Sequence, residues 1–332
     1  MQAIVLEANE KLNLIDFPKP IAKSGEAVIK VQAASLNHRD QWSRIGLYPN
    51  LKYPSILGSD GCGIVESVGS QDDNHWINES VIINPNVNWG DNPAFQSLNY
   101  TILGMPTNGT LAEYVCVPIN RLHKKPAHLS IEEASALPLA ALTAFRAVFT
   151  KGETTKNKNI LITGIGGGVA QFAMQFALAV GAKVFITSGD EEKLEKALKL
   201  GAFFGVNYKT EGWEKQLQKH CPFGFDVIID GAGGDGFGKL AKMVAQGANF
   251  VIYGGTSGTP SPINLPRLFF AQANIKGTTM GNDDEFSQMI SFVNDYKIKP
   301  LISSVRPLSE AISAFDEMHE GKQFGKLVIT IP

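Results

Sequence analysis

Four glycines packed into a five-residue turn constrain the fold of this chain more than any other feature. They lie in LITGIGGGVAQ, residues 161–171, as Gly164, Gly166, Gly167 and Gly168. The preceding segment NILIT is typical of a buried strand, and apolar residues recur from Val169 onward at the spacing of one helix face. Glycine lets a backbone turn sharply and approach a ligand, and the N-terminus of a helix attracts anions. The stretch therefore predicts a strand–turn–helix unit with a phosphate group against the turn.

Short apolar segments alternate with helical segments from about residue 131 onward. These segments are KVFIT, DVIID, FVIYG and IKGTT. Such an alternation predicts a parallel sheet covered by helices on both faces. The first 125 residues instead contain short strands and turns, such as AVIKVQAASL, and the chain closes on the strand GKLVITIP. We therefore predict an α/β protein with a doubly wound parallel-sheet domain at residues 126–281, inserted in a β-rich domain formed by residues 1–125 and 282–332.

The composition excludes several classes of partner. The 332 residues carry a formal net charge of −2, which offers no electrostatic footprint for nucleic acid. No uncharged apolar run of about 18 residues occurs, so we expect no membrane span. The N-terminal stretch carries Glu7 and no basic start, unlike a secretory signal. Three cysteines without a CxxC spacing suit a reducing compartment, and we expect a cytoplasmic protein that acts on a small molecule.

The glycine turn predicts a dinucleotide cofactor. Its pattern Gly164-x-x-Gly167-x-x-Ala170 is a looser form of the nucleotide-binding fingerprint, and the flanking strand and helix give it the expected setting. We expect the pyrophosphate to lie against the residues of this turn, which are Gly164, Gly166, Gly167, Gly168 and Val169.

The end of the second strand selects between NAD and NADP. NAD sites place an acid there for the ribose hydroxyls, and that acid would repel a 2′-phosphate. Ser188 follows KVFIT instead and can donate to a phosphate, while Lys193 supplies a cation from the next helix. The acids at 190–192 are interpreted as the first turn of that helix. Tyr208, after a third strand, either flanks the adenosine phosphate or packs. The pattern favours NADPH.

Eight motifs in order along the chain resemble the medium-chain dehydrogenase/reductase family, and most of all its zinc-free quinone oxidoreductase branch, which includes zeta-crystallin. They are SLNHRDQWSRIGLYP, ILGSDGCGIVESVG, GTLAEYVCVP, LPLAALTAF, GIGGGVA, TSGDEEKLEKALKLGA, VIIDGAGG and GKLVI. The resemblance implies a GroES-like β-rich catalytic domain built from both chain ends around a Rossmann domain, with the active site in the cleft between them. It also implies a homodimer, for which NIKGTTMG is the candidate edge strand.

Zinc-dependent members of this family bind a catalytic metal with Cys, His and Cys. The matching positions here are Asn37, Ser59 and Leu139, which lack the nitrogen, sulfur or carboxylate ligands that catalytic zinc needs. Asp60 remains beside Ser59, but one carboxylate does not rebuild the site. The lobe that carries four structural cysteines in zinc members has none here, and we expect Trp89 to fill it. The sequence therefore predicts no metal.

The resemblance assigns Asn37, Trp42 and Tyr48 to the cleft near the nicotinamide. We expect Asn37 and Tyr48 to contact the substrate oxygen, while Trp42 keeps an aromatic face without a phenol. Tyr48 has a second interpretation, in which its hydroxyl only fixes the loop near Pro49. Arg39 stands where the family carries a relay hydroxyl, and a charge-assisted pair with Asp40 is expected to tie down this loop. Further cofactor contacts that the resemblance implies are Thr143, Gly231, Tyr253, Gly254, Gly255 and Met280.

These features favour an NADPH-dependent, zinc-independent oxidoreductase that reduces quinones or α,β-unsaturated carbonyls. Without a Lewis acid to activate an alcohol, an acceptor that is already electrophilic is the better substrate. Two other enzymatic interpretations are an acyl-chain enoyl reductase and a zinc-less enzyme resembling the alcohol dehydrogenases. A third, from another class, is an NADPH-binding sensor or structural protein with little catalysis. An intact glycine turn fits all of them.

Overall fold

The computed structural model describes residues 1–8 and 11–332, which form two compact units. The first unit combines residues 1–140 with residues 281–332, and the second contains residues 141–280. The chain thus leaves its first unit after residue 140 and re-enters it at residue 281.

The amino-terminal part of the first unit is mostly β structure. Its elements are β1 Gln2–Leu6, β2 Leu12–Asp16, β3 Glu26–Ser35, α1 His38–Arg44, β4 Ser55–Ile56, β5 Asp60–Val68, β6 Ser80–Ile83, β7 Asn86–Val87, β8 Thr101–Ile102, β9 Tyr114–Pro118, β10 Leu122–Lys124 and α2 Ile131–Ser135, with 3₁₀ turns at Gln71–Trp76 and Ile119–Arg121. The long strand β3 pairs antiparallel with both β5 and β9, which makes it the centre of this sheet.

The second unit alternates strands and helices. Before its first strand the chain forms α3 Pro138–Phe145 and a π-helical stretch Arg146–Lys151. The elements that follow are β11 Asn159–Ile162, α4 Gly168–Ala179, β12 Lys183–Ser188, α5 Glu191–Lys199, β13 Phe204–Asn207, α6 Trp213–His220, β14 Phe225–Asp230, α7 Phe237–Ala241, β15 Val244–Ile252, α8 Leu265–Ala271 and β16 Asn274–Gly277, with a 3₁₀ turn at Gly234–Gly236. Every strand pair is parallel, in the order β13-β12-β11-β14-β15-β16. This confirms the predicted α/β fold with a doubly wound parallel sheet.

The chain then returns to the first unit and completes its sheet. The remaining elements are α9 Asp283–Asp295, β17 Ile302–Pro307, α10 Ala311–His319 and β18 Lys326–Thr330, with a 3₁₀ turn at Leu308–Glu310. Strand β18 pairs antiparallel with β3, so the carboxyl-terminal segment adds to the sheet that the amino-terminal segment began. Buried apolar side chains of both segments share one core, for example Ile29, Val65 and Ile329.

The first domain boundary lies later than the predicted position between residues 125 and 126. The short helix α2 packs on the sheet of the first unit, where Ala136 joins Ala33 and Val328 in a small buried cluster. The Ser35 hydroxyl also donates to the Ser135 carbonyl at 3.0 Å. These contacts keep residues up to 140 in the first unit. Across the described ranges 1–8 and 11–332, no helix has both the length and the apolar character needed to cross a membrane.

Candidate active site

Most of the cofactor residues predicted in the second unit lie at or after the carboxyl ends of parallel strands, and so lie along one edge of its sheet. The glycine turn follows β11, Ser188 ends β12, Tyr208 follows β13, Gly231 follows β14, Tyr253, Gly254 and Gly255 follow β15, and Met280 lies beyond β16. Thr143, in α3, is buried, and so is Met280. The structure therefore brings the predicted nucleotide-binding residues of this sheet to a common edge.

The glycine turn is shaped for a close approach to its backbone. Gly164 has a φ of +62°, and a Cβ added there would meet no described atom within 4 Å. Gly167 caps α4 in an extended conformation, and its amide donates to the Gly164 carbonyl at 3.0 Å to close the turn. Ile165 points into the core and is fully buried. The turn is thus open at Gly164, and it leads into a helix N-terminus of the kind that binds anions.

A buried hydrogen-bond pair that sequence reasoning missed holds this edge together. The Thr163 hydroxyl donates to Asp230 Oδ1 at 2.5 Å, and the Gly233 amide donates to Asp230 Oδ2 at 2.9 Å. The pair joins the turn after β11 to the turn after β14. The signal was present in the sequence, since Thr163 and Asp230 each end an apolar strand that precedes a glycine turn.

Gly231 and Tyr253 fit closely together on the same edge. A Cβ added to Gly231 would lie 2.4 Å from the Tyr253 ring, so only glycine can occupy this position. Desolvation and the nearby Asp230 carboxylate both raise the pKa of Tyr253, which keeps its phenol neutral. A Cβ at Gly254 would lie 2.9 Å from the Gly231 carbonyl oxygen, so the two turns also approach each other closely.

The acids after β12 are engaged in local structure. The Asp190 carboxylate caps α5 by accepting from the amides of Glu192 and Lys193, at 2.9 and 3.3 Å. The Glu191 carboxylate accepts from the Asn207 side chain at 2.7 Å. Ser188 is nearly fully buried, and its hydroxyl oxygen accepts from the Asp190 amide at 3.1 Å. The first helical turn therefore uses its acids as the sequence analysis expected.

Cationic side chains approach this turn. A Cβ added to Gly189 would lie 2.7 Å from the Tyr208 hydroxyl and 2.8 Å from Lys209 Cε, so both side chains lie over the turn. The pKa of Lys193 is lowered by burial and by the charges of Lys196 and Lys209, against an opposing effect of Asp190. Lysine side chains gathered near one turn favour the binding of an anion there. Lys209 was missed in the sequence, although it follows Tyr208 directly.

In the first unit, Asn37 lies in a buried polar cluster. Its amide nitrogen donates to Asp60 Oδ2 at 2.9 Å, and its amide oxygen accepts from Lys326 Nζ at 2.7 Å. Lys326 also contacts Asp60 Oδ2 at 3.1 Å, and both side chains are buried. The other oxygen of Asp60 accepts from the Leu139 amide at 2.8 Å. Two of the three positions that match zinc ligands, Asn37 and Leu139, are thus bonded to Asp60.

Arg39 contacts the third zinc-ligand position. One terminal nitrogen, Nη1, donates to Ser59 Oγ at 2.6 Å and to the Leu103 carbonyl at 2.9 Å. The other, Nη2, donates to the Met105 carbonyl at 3.0 Å. The guanidinium group is 8% exposed. These bonds tie α1 to two loops of the same unit.

The expected pairing of Arg39 with Asp40 is present as a long ion pair and not as a hydrogen bond. The two charged groups are 3.9 Å apart, which is longer than a hydrogen bond. The Asp40 carboxylate accepts from the backbone N–H of Asn37 at 2.8 Å and from the backbone N–H of Gly58 at 3.3 Å. Burial raises the pKa of Asp40, and the charge of Arg39 offsets only part of that rise. Arg39 does fix the loop, but through neutral oxygens.

The residues present do not fit a catalytic zinc ion. The Asn37 oxygen binds an ammonium group, the Ser59 hydroxyl oxygen binds a guanidinium group, and Leu139 has no ligand atom in its side chain. Within residues 1–8 and 11–332, no three His, Cys, Asp or Glu side chains are grouped so as to hold a metal. In the lobe without cysteines, Trp89 is buried and packs edge-on against Tyr100, with ring centroids 5.3 Å apart.

Trp42 lies in α1 and Tyr48 follows that helix, so both are close in sequence to Asn37 and Arg39. The Tyr48 hydroxyl accepts from Arg39 Nε at 3.2 Å, and the guanidinium carbon lies 4.7 Å from the centre of the Tyr48 ring. Both aromatic side chains are partly exposed. Tyr48 therefore contacts the Arg39 side chain through its ring face and its oxygen, while contact of Asn37, Trp42 or Tyr48 with a substrate stays a prediction.

Comparison with known proteins agrees with this organisation. Residues 23–127 match the alcohol dehydrogenase GroES-like domain, and residues 168–295 match the zinc-binding dehydrogenase domain. The chain is 38% identical to the zinc-type alcohol dehydrogenase-like protein YogA of Leptosphaeria maculans, over 97% of this chain and 94% of that protein. It is 30% identical to 2-methylene-furan-3-one reductase of Solanum lycopersicum, over 93% of this chain and 73% of that protein.

A solved structure has the same fold along the whole chain. It is the crystal structure of an NAD-dependent alcohol dehydrogenase, with a TM-score of 0.92, 34% identity and full coverage of both chains. The GroES-like and Rossmann assignments of the sequence analysis are confirmed by these matches. The quinone oxidoreductase branch stays a prediction, since relatives named as alcohol dehydrogenases match as well.

Proposed function

The chain belongs to the medium-chain dehydrogenase/reductase superfamily, and on that premise we propose that it is an NADPH-dependent, zinc-independent reductase of quinones or α,β-unsaturated carbonyls. One observation carries the proposal. The positions that would bind catalytic zinc are hydrogen-bonded to the chain's own cations, Asn37 to Lys326 and Ser59 to Arg39, and Leu139 offers no ligand. An enzyme built this way needs an acceptor that requires no Lewis acid.

Quinones and enones meet this requirement because they are already electrophilic. The reduced nicotinamide supplies the hydride when it is bound, and the protein orients the acceptor and stabilises negative charge on its oxygen. We assign this stabilisation to the Tyr48 hydroxyl and to the amide of Asn37, whose nitrogen has a second hydrogen beside the one given to Asp60. Tyr48 or water supplies the final proton, and Trp42 offers an apolar face to the acceptor. The name of the tomato relative supports this substrate class.

NADPH is the proposed cofactor. The glycine turn would hold its pyrophosphate, and Ser188, Lys193, Tyr208 and Lys209 would hold its 2′-phosphate. Support comes from the gathered lysines and from Asp190 and Glu191, whose carboxylates are bonded within the protein. The remaining contacts, at the nicotinamide half, are assigned to Thr143, Gly231, Tyr253, Gly254, Gly255 and Met280.

A homodimer in the cytoplasm is the proposed state of the protein. Strand β16 ends the parallel sheet, and its free edge is a template for pairing with a second copy. Large apolar side chains are exposed on β16 itself, at Ile275, and on the helix α8 that precedes it in the chain, at Leu265, Phe269 and Phe270. All three cysteines, Cys62, Cys116 and Cys221, are free thiols, which suits a reducing compartment.

Initial rates over a substrate panel test the function. NADPH and NADH oxidation would be followed with quinones, enals and enones, and NAD⁺ and NADP⁺ reduction with alcohols. We expect NADPH oxidation by an unsaturated carbonyl or a quinone to be the fastest reaction. Faster oxidation of an alcohol would instead support the activity named for the solved structure. Tight NADPH binding without turnover would indicate a sensor.

A further inference from the structure

Two buried cations lie in the polar cluster of the first unit, and they differ in how their charges are balanced. Lys326 Nζ contacts the Asp60 carboxylate directly at 3.1 Å. Arg39 is bonded only to neutral oxygens, those of Ser59, Leu103, Met105 and Tyr48, and the Asp40 carboxylate stands off at 3.9 Å. The positive charge of Arg39 is therefore not cancelled by a hydrogen-bonded carboxylate.

The contact between Arg39 and Tyr48 determines the orientation of the phenol. A phenolic oxygen has one hydrogen to donate and lone pairs to accept with. Since Arg39 Nε donates to this oxygen at 3.2 Å, the Tyr48 hydrogen must point in another direction. The guanidinium group lies against the ring face as well, so the ring and its oxygen are held by one rigid group.

The guanidinium group itself is firmly anchored. Nη1 has two acceptors and Nη2 has one, so three hydrogen bonds hold the plane of the group before Nε reaches Tyr48. A lysine ammonium could keep the charge but not this forked geometry. Arg39 therefore places a positive charge, and an Nε–H group of fixed direction, next to the Tyr48 oxygen.

We propose that Arg39 is a positioning residue for the reaction, which orients Tyr48 as the hydrogen-bond and proton donor to the substrate oxygen and stabilises the tyrosinate that is left. The proposal rests on the reductase function above. It assigns to an internal guanidinium group the electrostatic task that a metal ion has in zinc-dependent relatives.

A hydride taken from NADPH, which is thereby oxidised to NADP⁺, would add to the β-carbon of the unsaturated carbonyl, and the displaced electron pair collects on the carbonyl oxygen as an enolate. The Tyr48 O–H bond breaks, its proton passes to that oxygen, and the electron pair stays on the tyrosine oxygen. Arg39 Nε–H stabilises this negative oxygen until a proton from water restores the phenol.

Single and double variants of Arg39 and Tyr48 test the proposal. We expect Arg39→Lys and Tyr48→Phe each to lower kcat for an enone by about 100-fold, with KM changed only a few-fold, because the donor acts as charge develops. The double variant should be no slower than Tyr48→Phe alone, since Arg39 acts through Tyr48. The solvent deuterium isotope effect on kcat, which a purely structural role would not move, should change in Arg39→Lys.

Arg44→Met is the matched control. Arg44 ends the same helix and pairs at the surface with Asp316 at 2.6 Å, so this variant removes a cation from α1 without touching Tyr48. Its kcat should equal that of the wild type. Thermal melting and NADPH binding would show that each variant is folded, and if Arg39→Lys fails to fold, Arg39→Ala with added guanidinium salt replaces it, with recovery of kcat expected.

The outcomes separate this proposal from the function on which it rests. A wild-type enzyme without reductase turnover would contradict the proposed function. A wild-type reductase whose folded Arg39 variants keep full kcat, or whose double variant multiplies the two single losses, would overturn the role of Arg39 alone. Absence of rescue by guanidinium in a folded Arg39→Ala variant would overturn it too.

Discussion

At the scale of single residues, the choice of cofactor depends on the turn at Gly189. Lys209 and Tyr208 lie over this turn, and Lys193 stands near enough to Lys209 for their charges to interact. In the proposed NADPH complex, a phosphate on the ribose would give these groups a charged acceptor that a free hydroxyl does not offer. The preference for NADPH should therefore come from lysines that are separated in sequence and gathered by the ends of neighbouring strands.

Replacing these lysines should shift the preference from NADPH toward NADH. We expect Lys193→Ala and Lys209→Ala each to raise the Kd for NADPH by about 10-fold to 100-fold, since a hydrogen bond to a charged group contributes about 1.5–3 kcal/mol. The Kd for NADH should stay nearly constant. Lys199→Ala, at the other end of α5, is the control. Fluorescence titration with both nucleotides measures the effect, and equal losses for NADPH and NADH would contradict the assignment.

Candidate site residues that follow a strand were easier to predict from the sequence than contacts between residues that are far apart in the chain. Gly164, Ser188 and Tyr208 were placed because each follows an apolar segment, and parallel strands bring such positions to one edge. The bond between Lys326 and Asp60 joins residues 266 positions apart, and no local pattern signals it. Lys209 could have been found beside Tyr208, but one surface lysine among many carries no signal without the fold.

At the scale of elements, apolar segments identified strands such as β3, β12, β14 and β18 and the helix α4, but they gave no signal for α1. Helix α1 buries Arg39, Asp40, Gln41 and Ser43, which are all polar. A helix whose buried face is polar has no apolar periodicity to detect. The structure shows what holds this helix in place, because Arg39 donates to Ser59, Leu103 and Met105 and Asp40 accepts from the Gly58 backbone amide.

Helix α9 is joined to the amino-terminal part of its unit by a charged pair. Both terminal nitrogens of Arg121 donate to the Asp283 carboxylate, at 2.6 and 2.5 Å, and Asn84 donates to it at 3.1 Å. Burial tends to raise the pKa of Asp283, but the bonds and charge of Arg121, with Asn84 and Asn86, outweigh it and lower the pKa. The folded state therefore stabilises the ionised carboxylate.

Asp283→Asn should destabilise the protein in a pH-dependent way. At neutral pH we expect a loss of about 1–2 kcal/mol in the free energy of unfolding, reduced from the value for a buried pair because Asp283 is half exposed. Because the pKa of Asp283 is lowered in the folded state, the ionised carboxylate contributes its full stabilisation above the pKa of the unfolded state. This contribution is lost as the pH falls through the pKa of the folded state. The difference from the wild type should thus stay constant between about pH 5 and pH 8 and shrink below about pH 4.

Denaturant unfolding over this pH range measures the effect. Asp284→Asn, at the next position of the same helix turn, is the control and should change stability by less than about 0.5 kcal/mol. A difference between Asp283→Asn and wild type that grows as pH falls would contradict the assignment.

At the scale of the whole molecule, the exposed edge of the parallel sheet predicts association. Phe270 is 73% exposed on α8, the helix that precedes the edge strand β16 in the chain, and a glutamate there would place a charge in the proposed interface. We expect wild-type protein to be a dimer and Phe270→Glu to be a monomer, by light scattering after gel filtration. Phe223→Glu, at another exposed position of the same unit, should stay a dimer. A monomeric wild type would contradict the proposed dimer.

The central claim is that this member of a zinc-binding superfamily catalyses reduction without a metal. The most direct measurement is NADPH oxidation with an active enone or quinone by enzyme dialysed against a strong chelator, with its metal content determined, before and after zinc is added. The account predicts full turnover with less than about one zinc ion per ten chains and no gain on adding zinc, since Asn37, Ser59 and Leu139 cannot bind it. Loss of turnover on chelation, restored by zinc, would contradict the account.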